Sequence, residues 1–431
     1  MNSAYDVAIV GAGPAGSTAA HLLAKGGLRV ALLDRSDFPR DKTCGDGLTP
    51  RAVGVLDSLG VLPAVARDAY RISALTMRNS DEVTYRLELG IPGGPERYIL
   101  ILPRLKLDEI LLHHAVDAGA HFLPNRKVVD IDQSEDDALR LRIENGSSIE
   151  SKLAIIATGA NTSLLRKTGL LNHPPPSNLA ARVYYEGVED LDDTIMLFFD
   201  GVERPGYGWV FPIAPGIANI GCGVFFDSST PQPSHLAHLL KHHPHLQRIL
   251  KNARPMGSIK GYPLRTDFSP SLSGRGHLLV VGEAVGLVNP ITGEGIDYAL
   301  ESAQLAAQSI LTGWAIGLPP APFHRAYRRL LNRKFRLPFA LGHWVQRLYF
   351  RDGIFDRILR RVQYRPHLHR IVVDSCFGLI DPISAFTPRT VWEVLKPERR
   401  ASQRTARPHP SSGDSTAKNE MHTGSGARPR A

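Results

Sequence analysis

The sequence predicts an α/β protein with a parallel-sheet domain, an interleaved second β-sheet domain and a C-terminal helical segment. Two short apolar runs, at 5–10 and 28–33, flank a stretch of helical composition at 14–25 that stops at two glycines. This order is typical of a β-α-β unit, and such units build parallel sheets with helices on their faces. From Pro319 to residue 397 no strand pattern follows, so this region should be helical.

The other elements follow from apolar or alternating runs that turn residues separate. Further strands are predicted at 84–89, 98–102, 127–131, 153–157, 180–185, 195–199, 208–212, 217–226 and 277–281. Helices are predicted at 106–118, 234–252, 295–311, 322–347, 353–362 and 367–380. The order of these elements predicts a first domain from residues 1–70, 98–175 and 257–318 and a second from 71–97 and 176–256. A helical region over 319–397 and a disordered tail over 398–431 are predicted to follow.

Composition excludes several classes of protein. With 43% hydrophobic and 22% charged residues, the chain resembles an ordinary globular protein. No apolar run approaches the roughly 20 residues that span a bilayer, and the Gly-punctuated N-terminus does not resemble a signal peptide. Cys44, Cys222 and Cys376 lie far apart, so neither a disulfide framework nor a metal site is predicted. A reducing cytoplasm is the predicted compartment.

The net charge of +9 is concentrated near the C-terminus. Residues 318–370 are rich in arginine and contain only two acidic residues, Asp352 and Asp356, whereas acidic residues outnumber basic ones before them. An acidic body argues against a dedicated nucleic-acid binder. Basic helices with apolar residues favour peripheral contact with the inner face of a membrane. Solvated helix faces are the alternative interpretation.

A glycine-rich loop follows the first strand. Gly11-Ala-Gly-Pro-Ala-Gly16 is a GxGxxG sequence between a strand and a helix, and Asp34 ends the next strand. In such a loop Gly11 permits the tight turn, Gly13 lets the backbone approach a pyrophosphate, and Gly16 lets helix and strand pack closely. The helix N-terminus attracts phosphates, and Asp34 can accept from ribose hydroxyls. The loop predicts a Rossmann-type dinucleotide-binding domain.

Two later motifs favour FAD over a nicotinamide dinucleotide. Ala157-Thr158-Gly159 ends an apolar strand, and Gly282-Glu283 follows another and precedes NPITGEGI at 289–296. A carboxylate at a strand end can bind ribitol hydroxyls. The helix that begins near Gly295 can offer amides to the flavin pyrimidine ring, where reduction builds negative charge. The predicted fold is therefore a Rossmann-type FAD-binding domain with an interleaved β-sheet substrate domain.

The segment FPRDKTCGDGLTPRA at 38–52 places Cys44 and Asp46 around Gly45. It suits a backbone pressed against a flat cofactor, with a thiol and a carboxyl at the reactive edge. Together with GAGPAG, Pro205 with YGWVFP at 207–212 and GEAVGLVNPITGEGIDYALE at 282–301, it resembles the geranylgeranyl reductase family. That family lies within the flavoprotein group of p-hydroxybenzoate hydroxylase. The resemblance covers about residues 4–395, and the spelling is most similar to bacterial menaquinone or polyprenyl side-chain reductases.

The resemblance implies an FAD-dependent oxidoreductase that saturates isolated C=C bonds of an isoprenoid lipid. NAD(P)H or ferredoxin is the implied electron donor; the sequence decides neither this nor the oligomeric state. The family usually has Asp where this chain has Glu283. The motifs and the resemblance together predict FAD contacts from Gly11, Gly13, Ala15, Gly16, Asp34, Arg35, Cys44, Gly45, Arg104, Val128, Gly159, Gly282, Glu283, Gly293, Gly295 and Ile296.

Saturating an isolated alkene requires a hydride on one carbon and a proton on the other. The transition state is cation-like, so the site should exclude water, hold an acid and present aromatic faces. Cys44 and Asp46 are the candidate proton donors, and Tyr207 and Trp209 are the candidate aromatic wall. The alternatives are that Cys44 is a small residue fitted under the flavin and that Trp209 is strand core.

Two other functions fit the same motifs. The scaffold also hosts flavin monooxygenases and halogenases, whose paired-Trp WxWxIP motif has Tyr207 in its first aromatic position here. A prenyl-binding carrier that has lost its flavin is a non-enzymatic alternative. The intact GAGPAG loop and the GEGI turn argue against the carrier.

Overall fold

A computed structural model describes residues 5–78, 84–90, 96–133, 138–176, 178–224, 232–349, 358, 360–362, 364–376, 380 and 387–396. Met1–Val394 form one compact unit and Leu395–Ala431 a second, of which the structure describes Leu395 and Lys396. The predicted tail at 398–431 and most of the predicted helix at 353–362 lie outside the described residues.

The strands of the described chain agree closely with the predicted runs, and several short ones are added. They are β1 (Tyr5–Val10), β2 (Val30–Leu33), β3 (Gly47–Leu48), β4 (Tyr70–Ile72), β5 (Ala74–Arg78), β6 (Thr84–Glu88), β7 (Ile99–Ile101), β8 (His121–Leu123), β9 (Val128–Gln133), β10 (Leu139–Ile143), β11 (Ser148–Ile156), β12 (Asn178–Glu186), β13 (Thr194–Phe198), β14 (Gly206–Ala214), β15 (Ile217–Val224), β16 (Arg254–Pro255), β17 (Lys260–Leu264), β18 (Gly274–Arg275) and β19 (Leu278–Val280).

The helices of the described chain are α1 (Pro14–Lys25), α2 (Pro50–Ser58), α3 (Leu62–Asp68), α4 (Arg104–Asp117), α5 (Ser163–Lys167), α6 (Gln232–His242), α7 (Pro244–Ile249), α8 (Ile296–Ala315), α9 (Phe323–Tyr349), α10 (Pro366–Cys376) and α11 (Pro388–Leu395). The single helix predicted at 234–252 is wrong. Pro244 starts a new helix, and the His243 side chain accepts from the Leu246 N–H to cap it. Pro338 lies inside α9 without ending it.

The first sheet has the predicted parallel core. Its path in the described chain is β18-β19-β11-β1-β2-β8, and β1 pairs in parallel with β2 and β11. Helix α1 crosses between β1 and β2. The carboxyl ends of β1, β2, β11 and β19 therefore meet at one edge, where the loops that follow them can converge on a ligand.

The second sheet is mostly antiparallel. Its path in the described chain is β16-β12-β15-β14-β13-β5-β6, and β17 also pairs with β12. Strand β17 lies in the segment 257–318, which the sequence places in the first domain. In the structure the five residues Lys260–Leu264 pair with β12 along the second sheet.

Helix α9 packs onto the first domain, whereas Leu368 and Val373 of α10 join the core cluster of the second sheet. The Tyr327 hydroxyl on α9 donates to the Val280 carbonyl of β19, and Phe335 and Phe339 join the core of the first sheet. Further along α9, the Gln346 side chain donates to the Pro290 carbonyl at 2.7 Å. None of the helices in the described ranges is both long and apolar enough to cross a membrane.

Candidate active site

A cavity of about 1150 Å³ extends between the carboxyl edge of the first sheet and one face of the second. Its lining includes Asp34, Arg35 and Val128 from the first sheet's side and Trp209 and Phe211 from the second sheet. Both the glycine-rich loop and the segment 38–52 line it. All the predicted cofactor contacts except Gly16 and Gly282 line this cavity.

The glycine-rich loop leaves room where a diphosphate would bind. A Cβ on Gly13 would lie 3.6 Å from the Arg40 guanidinium and 3.8 Å from that of Arg104. Arg104 is fully buried and bonds Asp108 through two nitrogens, at 2.6 and 2.8 Å. Although burial opposes its charge, the pKa of Arg104 is raised, because Asp108 and the Cys44 side chain lie beside it. Two guanidinium groups thus face the loop.

Gly16 and Gly282 do not line the cavity, but they pack directly against residues that do. A Cβ on Gly16 would lie 1.7 Å from the Gly11 carbonyl oxygen, so only glycine lets α1 pack this closely on β1. Gly282 has a φ of 66°, and its N–H donates to the Ser302 hydroxyl at 2.9 Å. A Cβ there would lie 3.0 Å from the Cβ of Ala15, which does line the cavity.

Asp34 occupies the predicted ribose position at the end of β2. Its carboxylate accepts from the Ala12 N–H at 2.8 Å and the Ser36 N–H at 3.0 Å, which fixes its orientation at the loop. Arg40 lies 3.7 Å from the same carboxylate. The arrangement orients a carboxylate acceptor in the cavity, which Arg35 and Val128 also line.

Glu283 lines the cavity near Gly159. One carboxylate oxygen accepts from the Arg265 N–H at 3.3 Å, and the other lies 3.6 Å from the Lys42 ammonium. A Cβ on Gly159 would lie 3.4 Å from Glu283, so the glycine makes room for the longer side chain. The extra methylene, compared with the family's Asp, is accommodated here without displacing the carboxylate from the cavity.

The N-terminus of α8 closes the cavity beside Gly293, Gly295 and Ile296. Burial raises the pKa of Asp297 to about 6 against the opposing charge of Arg51. Burial also raises the pKa of Glu294 well above its usual range, and the neighbouring Asp297 adds to the shift. Two carboxyl groups that ionise less readily than usual therefore lie beside a helix N-terminus that favours an anion.

The segment 38–52 brings Cys44, Gly45 and Asp46 against the aromatic strand β14. A Cβ on Gly45 would lie 3.2 Å from the Phe211 ring and 3.8 Å from the Trp209 indole nitrogen. Cys44 is a half-buried free thiol that lines the cavity. The backbone here runs along the cavity wall, as the sequence predicts for a strip beside a flat ring.

Asp46 is fully buried and has a φ of 68°, which is uncommon for a residue with a side chain. Its carboxyl accepts from the Tyr184 hydroxyl at 2.6 Å, the Asn219 side chain at 2.7 Å and the Arg104 N–H at 3.2 Å. Burial raises the pKa of Asp46 to about 6, although the hydrogen bonds from Tyr184 and Asn219 lower it. A neutral carboxylic acid is therefore accessible near physiological pH.

Tyr207, Trp209 and Phe211 project from one face of β14 and form the aromatic wall. The Trp209 ring lies directly over Gly221 of the paired strand, where a Cβ would come within 2.2 Å of the indole. Its N–H donates to the Asn219 side chain at 3.0 Å, and the Tyr207 hydroxyl donates to the Thr292 carbonyl. The wall therefore connects to Asp46 through Asn219.

Four residues of this site were not predicted from the sequence. Arg40 and Lys42 belong to the quoted segment 38–52, and their charges could have indicated anion binding. Tyr184 and Asn219 lie on strands whose pairing, Tyr184 opposite Asn219, brings both beside Asp46. No local pattern predicts that register.

The residues of the site fit FAD. Gly13, with the adjacent guanidinium groups, suits a diphosphate, Asp34 suits a ribose, and the helix N-terminus at Ile296 suits the electron-rich end of a reduced flavin. The cavity is continuous between these points.

Comparison with known proteins agrees with this cofactor. The FAD binding domain family matches residues 4–178. Menaquinone reductase of Mycobacterium tuberculosis is 34% identical over an alignment of 328 residues, which covers 72% of this chain and 77% of that protein. Digeranylgeranylglycerophospholipid reductase 1 of Methanosphaera stadtmanae is 30% identical over an alignment of 302 residues, which covers 68% of this chain and 71% of that one.

Solved structures show the same fold. A geranylgeranyl bacteriochlorophyll reductase-like protein of Thermoplasma acidophilum has a TM-score of 0.69 and 22% identity, covering 90% of this chain and 95% of that one. A flavin-dependent brominase also has a TM-score of 0.69 and 22% identity, covering 90% and 97%. The fold and the site define an FAD-dependent oxidoreductase. On the identity and coverage of its reductase relatives, the chain belongs to the geranylgeranyl reductase family.

Proposed function

We propose that this enzyme saturates isolated C=C bonds in the polyprenyl chain of a lipid, such as a menaquinone side chain or a geranylgeranyl group. The observation that carries the proposal is a buried acid, Asp46, beside an aromatic wall in the cavity that suits FAD. The printed names of two relatives, a menaquinone reductase and a digeranylgeranylglycerophospholipid reductase, support this class of substrate.

In the proposed mechanism, bound and reduced FAD supplies a hydride to one alkene carbon. Arg40 and Arg104 would bind its diphosphate, Asp34 a ribose hydroxyl and Glu283 the ribitol chain. Predicted contacts at Arg35, Val128 and the turn 293–296 would complete the binding site.

The residues beyond the cofactor would handle the positive charge and the proton. The faces of Tyr207 and Trp209 stabilise a cation-like transition state without competing as nucleophiles. Asp46 supplies the proton for the other carbon, since its raised pKa keeps part of the population neutral. Cys44 is the second candidate donor, because its thiol lines the same cavity. Lipid in the cavity would exclude water that otherwise quenches the charge.

The direct test is mass spectrometry of lipids from cells with and without the protein. We expect its presence to increase the mass of a quinone tail or another polyprenyl lipid by two hydrogen atoms for each bond saturated. Unchanged lipids in cells that make the flavin-loaded enzyme would contradict the proposal.

A flavin-dependent halogenase or monooxygenase is the competing function, since a brominase shares the fold. Tyr207 in the first aromatic position favours the reductase. Product formation that requires oxygen, with altered aromatic metabolites in place of saturated lipids, would support the competitor. The prenyl carrier would copurify with lipid but without yellow colour.

We also propose that α9 rests on an anionic membrane surface. Five exposed arginines share one helical face, which we call the basic face: Arg325, Arg329, Arg333, Arg336 and Arg347. Within the described residues none of the five forms an ion pair.

Apolar residues adjoin the basic face. Leu337 and Trp344 lie beside it and are 56% and 55% exposed. Large apolar side chains among unpaired cations are typical of helices that lie in a lipid interface. The other side of α9 contacts Pro290, next to the cavity-lining loop at 292–295, so this orientation would bring the cavity near its lipid substrate.

Charge reversal on the basic face should release the protein from anionic vesicles. Each arginine near such a surface contributes about 1 kcal/mol, so Arg333→Glu with Arg336→Glu should weaken binding about 30-fold or more. Sedimentation with phosphatidylglycerol vesicles measures the effect, and phosphatidylcholine vesicles provide the uncharged reference. Lys241→Glu with Lys251→Glu, an equal charge change on the second domain, is the control. Equal losses in both variants would contradict a specific docking face.

A further inference from the structure

The hydrogen bonds around Asp46 raise the question of how this buried acid exchanges protons. Its carboxyl is fully buried and has three hydrogen-bond donors among the described residues: the Tyr184 hydroxyl, the Asn219 amide and the Arg104 N–H. Amide and backbone N–H groups do not release their protons at accessible pH. A phenol can donate its proton and accept another. Of these three groups, Tyr184 is therefore the one suited to proton exchange with Asp46.

Tyr184 lies at the edge of the buried site. It is half-buried, whereas Asp46 has no exposed surface. The Arg182 guanidinium lies 4.1 Å from the centre of the Tyr184 ring and pairs with Asp41, which also bonds Lys260 at 2.6 Å. Burial and the adjacent Asp46 carboxylate raise the pKa of Tyr184, so the phenol stays neutral. It can then act as both donor and acceptor at the boundary between Asp46 and solvent.

We propose that Tyr184 is a positioning residue through which Asp46 regains its proton between turnovers. The inference rests on the proposed function, in which lipid fills the cavity and keeps water from Asp46. In the reductive step the Asp46 O–H bond breaks and its proton forms a C–H bond on one alkene carbon. A hydride from reduced FAD forms the other C–H bond as the π bond is lost. Tyr184 then gives its hydroxyl proton to the Asp46 carboxylate and takes one from water.

The charged and titratable groups around Asp46 define what a variant should change. Arg182 faces it from β12, Arg104 from the start of α4, and Cys44 from the same segment as Asp46. Asp41 and Lys260 act through Arg182. Tyr184→Phe leaves all of these in place and removes one hydrogen bond that favours the Asp46 carboxylate. The pKa of Asp46 should therefore rise further.

The first test follows the Asp46 carboxyl by infrared spectroscopy as the flavin-loaded protein is titrated without substrate. The protonated C=O band is assigned by its loss in Asp46→Asn. We expect its midpoint to move to higher pH in Tyr184→Phe and to stay unchanged in Tyr185→Phe. Tyr185 is the matched control, because it is the next residue of β12, is also half-buried and packs against the other face of the second sheet. An unchanged midpoint in Tyr184→Phe would overturn the coupling.

The second test measures turnover with excess lipid and excess reductant. We expect Tyr184→Phe to saturate one bond per flavin rapidly and then to slow about 10-fold or more, because the Asp46 carboxylate is no longer reprotonated through Tyr184. Wild-type enzyme and Tyr185→Phe should show no such burst. Equal slowing in the first and later turnovers would overturn the recharging role, and so would unchanged rates.

The two tests distinguish a failure of proton transfer through Tyr184 from a failure of the proposed lipid reduction. If wild-type enzyme saturates no isoprenoid, the proposed function fails while the infrared titration still measures the Tyr184–Asp46 coupling. If wild-type enzyme is active but Tyr184→Phe behaves like Tyr185→Phe in both tests, the role of Tyr184 in returning a proton to Asp46 is rejected and the proposed function is retained.

Discussion

Asp46→Asn is expected to lower lipid saturation by about 100- to 10,000-fold while FAD stays bound. The substitution keeps the size of the side chain but removes the acidic proton that the second alkene carbon requires. Asp46 contacts Tyr184, Asn219 and the backbone N–H of Arg104, whereas the Arg104 guanidinium that faces Gly13 is held by Asp108. Flavin absorbance per mole of protein checks the cofactor, and a single-turnover assay with reduced enzyme checks the chemistry.

The same residue gives the activity a predictable pH dependence. Burial raises the pKa of Asp46 to about 6, and the protonated form is the active one. The single-turnover rate should therefore be highest below this value and fall as pH rises through it, tenfold for each pH unit well above it. Asp46→Asn should lose this dependence. A rate that rises with pH across the same range would contradict Asp46 as the acid.

Cys44→Ala is the comparison that separates the two candidate donors. If Asp46 donates, this variant keeps most of its rate and the same fall above pH 6. If Cys44→Ala loses the reaction while Asp46→Asn retains it, the thiol is the donor and Asp46 holds the segment in place. Both variants should retain yellow colour, which makes the rates directly comparable.

Gly16→Ala is expected to remove FAD binding and to destabilise the first domain by at least about 3 kcal/mol. The new Cβ would lie 1.7 Å from the Gly11 carbonyl oxygen and 3.3 Å from Ala157. Because the first of these contacts is with backbone, α1 must move away from β1, and the glycine-rich loop moves with it. Flavin content after purification and a thermal melt measure the two effects.

Gly54→Ala is the matched control. Gly54 lies in helix α2, and a Cβ there would meet nothing within 4 Å. Alanine favours the helix by about 1 kcal/mol, so this variant should be slightly more stable and fully loaded with flavin. A Gly16→Ala protein with normal flavin content would show that the close packing of helix and strand is dispensable.

The nucleotide half of the site could be predicted from sequence because its determinants are local. Gly11, Gly13 and Gly16 act within a single strand-loop-helix unit, and Asp34 follows at the end of the next strand. Such a motif needs no knowledge of distant contacts. The β-α-β unit at the N-terminus was confirmed for the same reason.

The proton-handling half depends on contacts between distant segments. Asp46 meets Tyr184 and Asn219 only because β12 and β15 pair in one register, and a slip of either strand by one residue would turn its side chain to the other face. The placement of Lys260–Leu264 on the second sheet is a similar case, because its short pattern does not specify its partner strand. The start of a new helix at Pro244 could have been predicted from the sequence, because proline favours the first turn of a helix.

The indole of Trp209 packs directly on backbone at Gly221. Side chains can change rotamer to admit a bulkier guest, but the main chain of a sheet interior cannot retreat without breaking its hydrogen bonds. The depth of the pocket behind Trp209 is therefore fixed. Adaptation to other lipid chains would then have to arise elsewhere in the cavity lining, such as the loop 292–295, whose Thr292 carbonyl meets the Tyr207 hydroxyl.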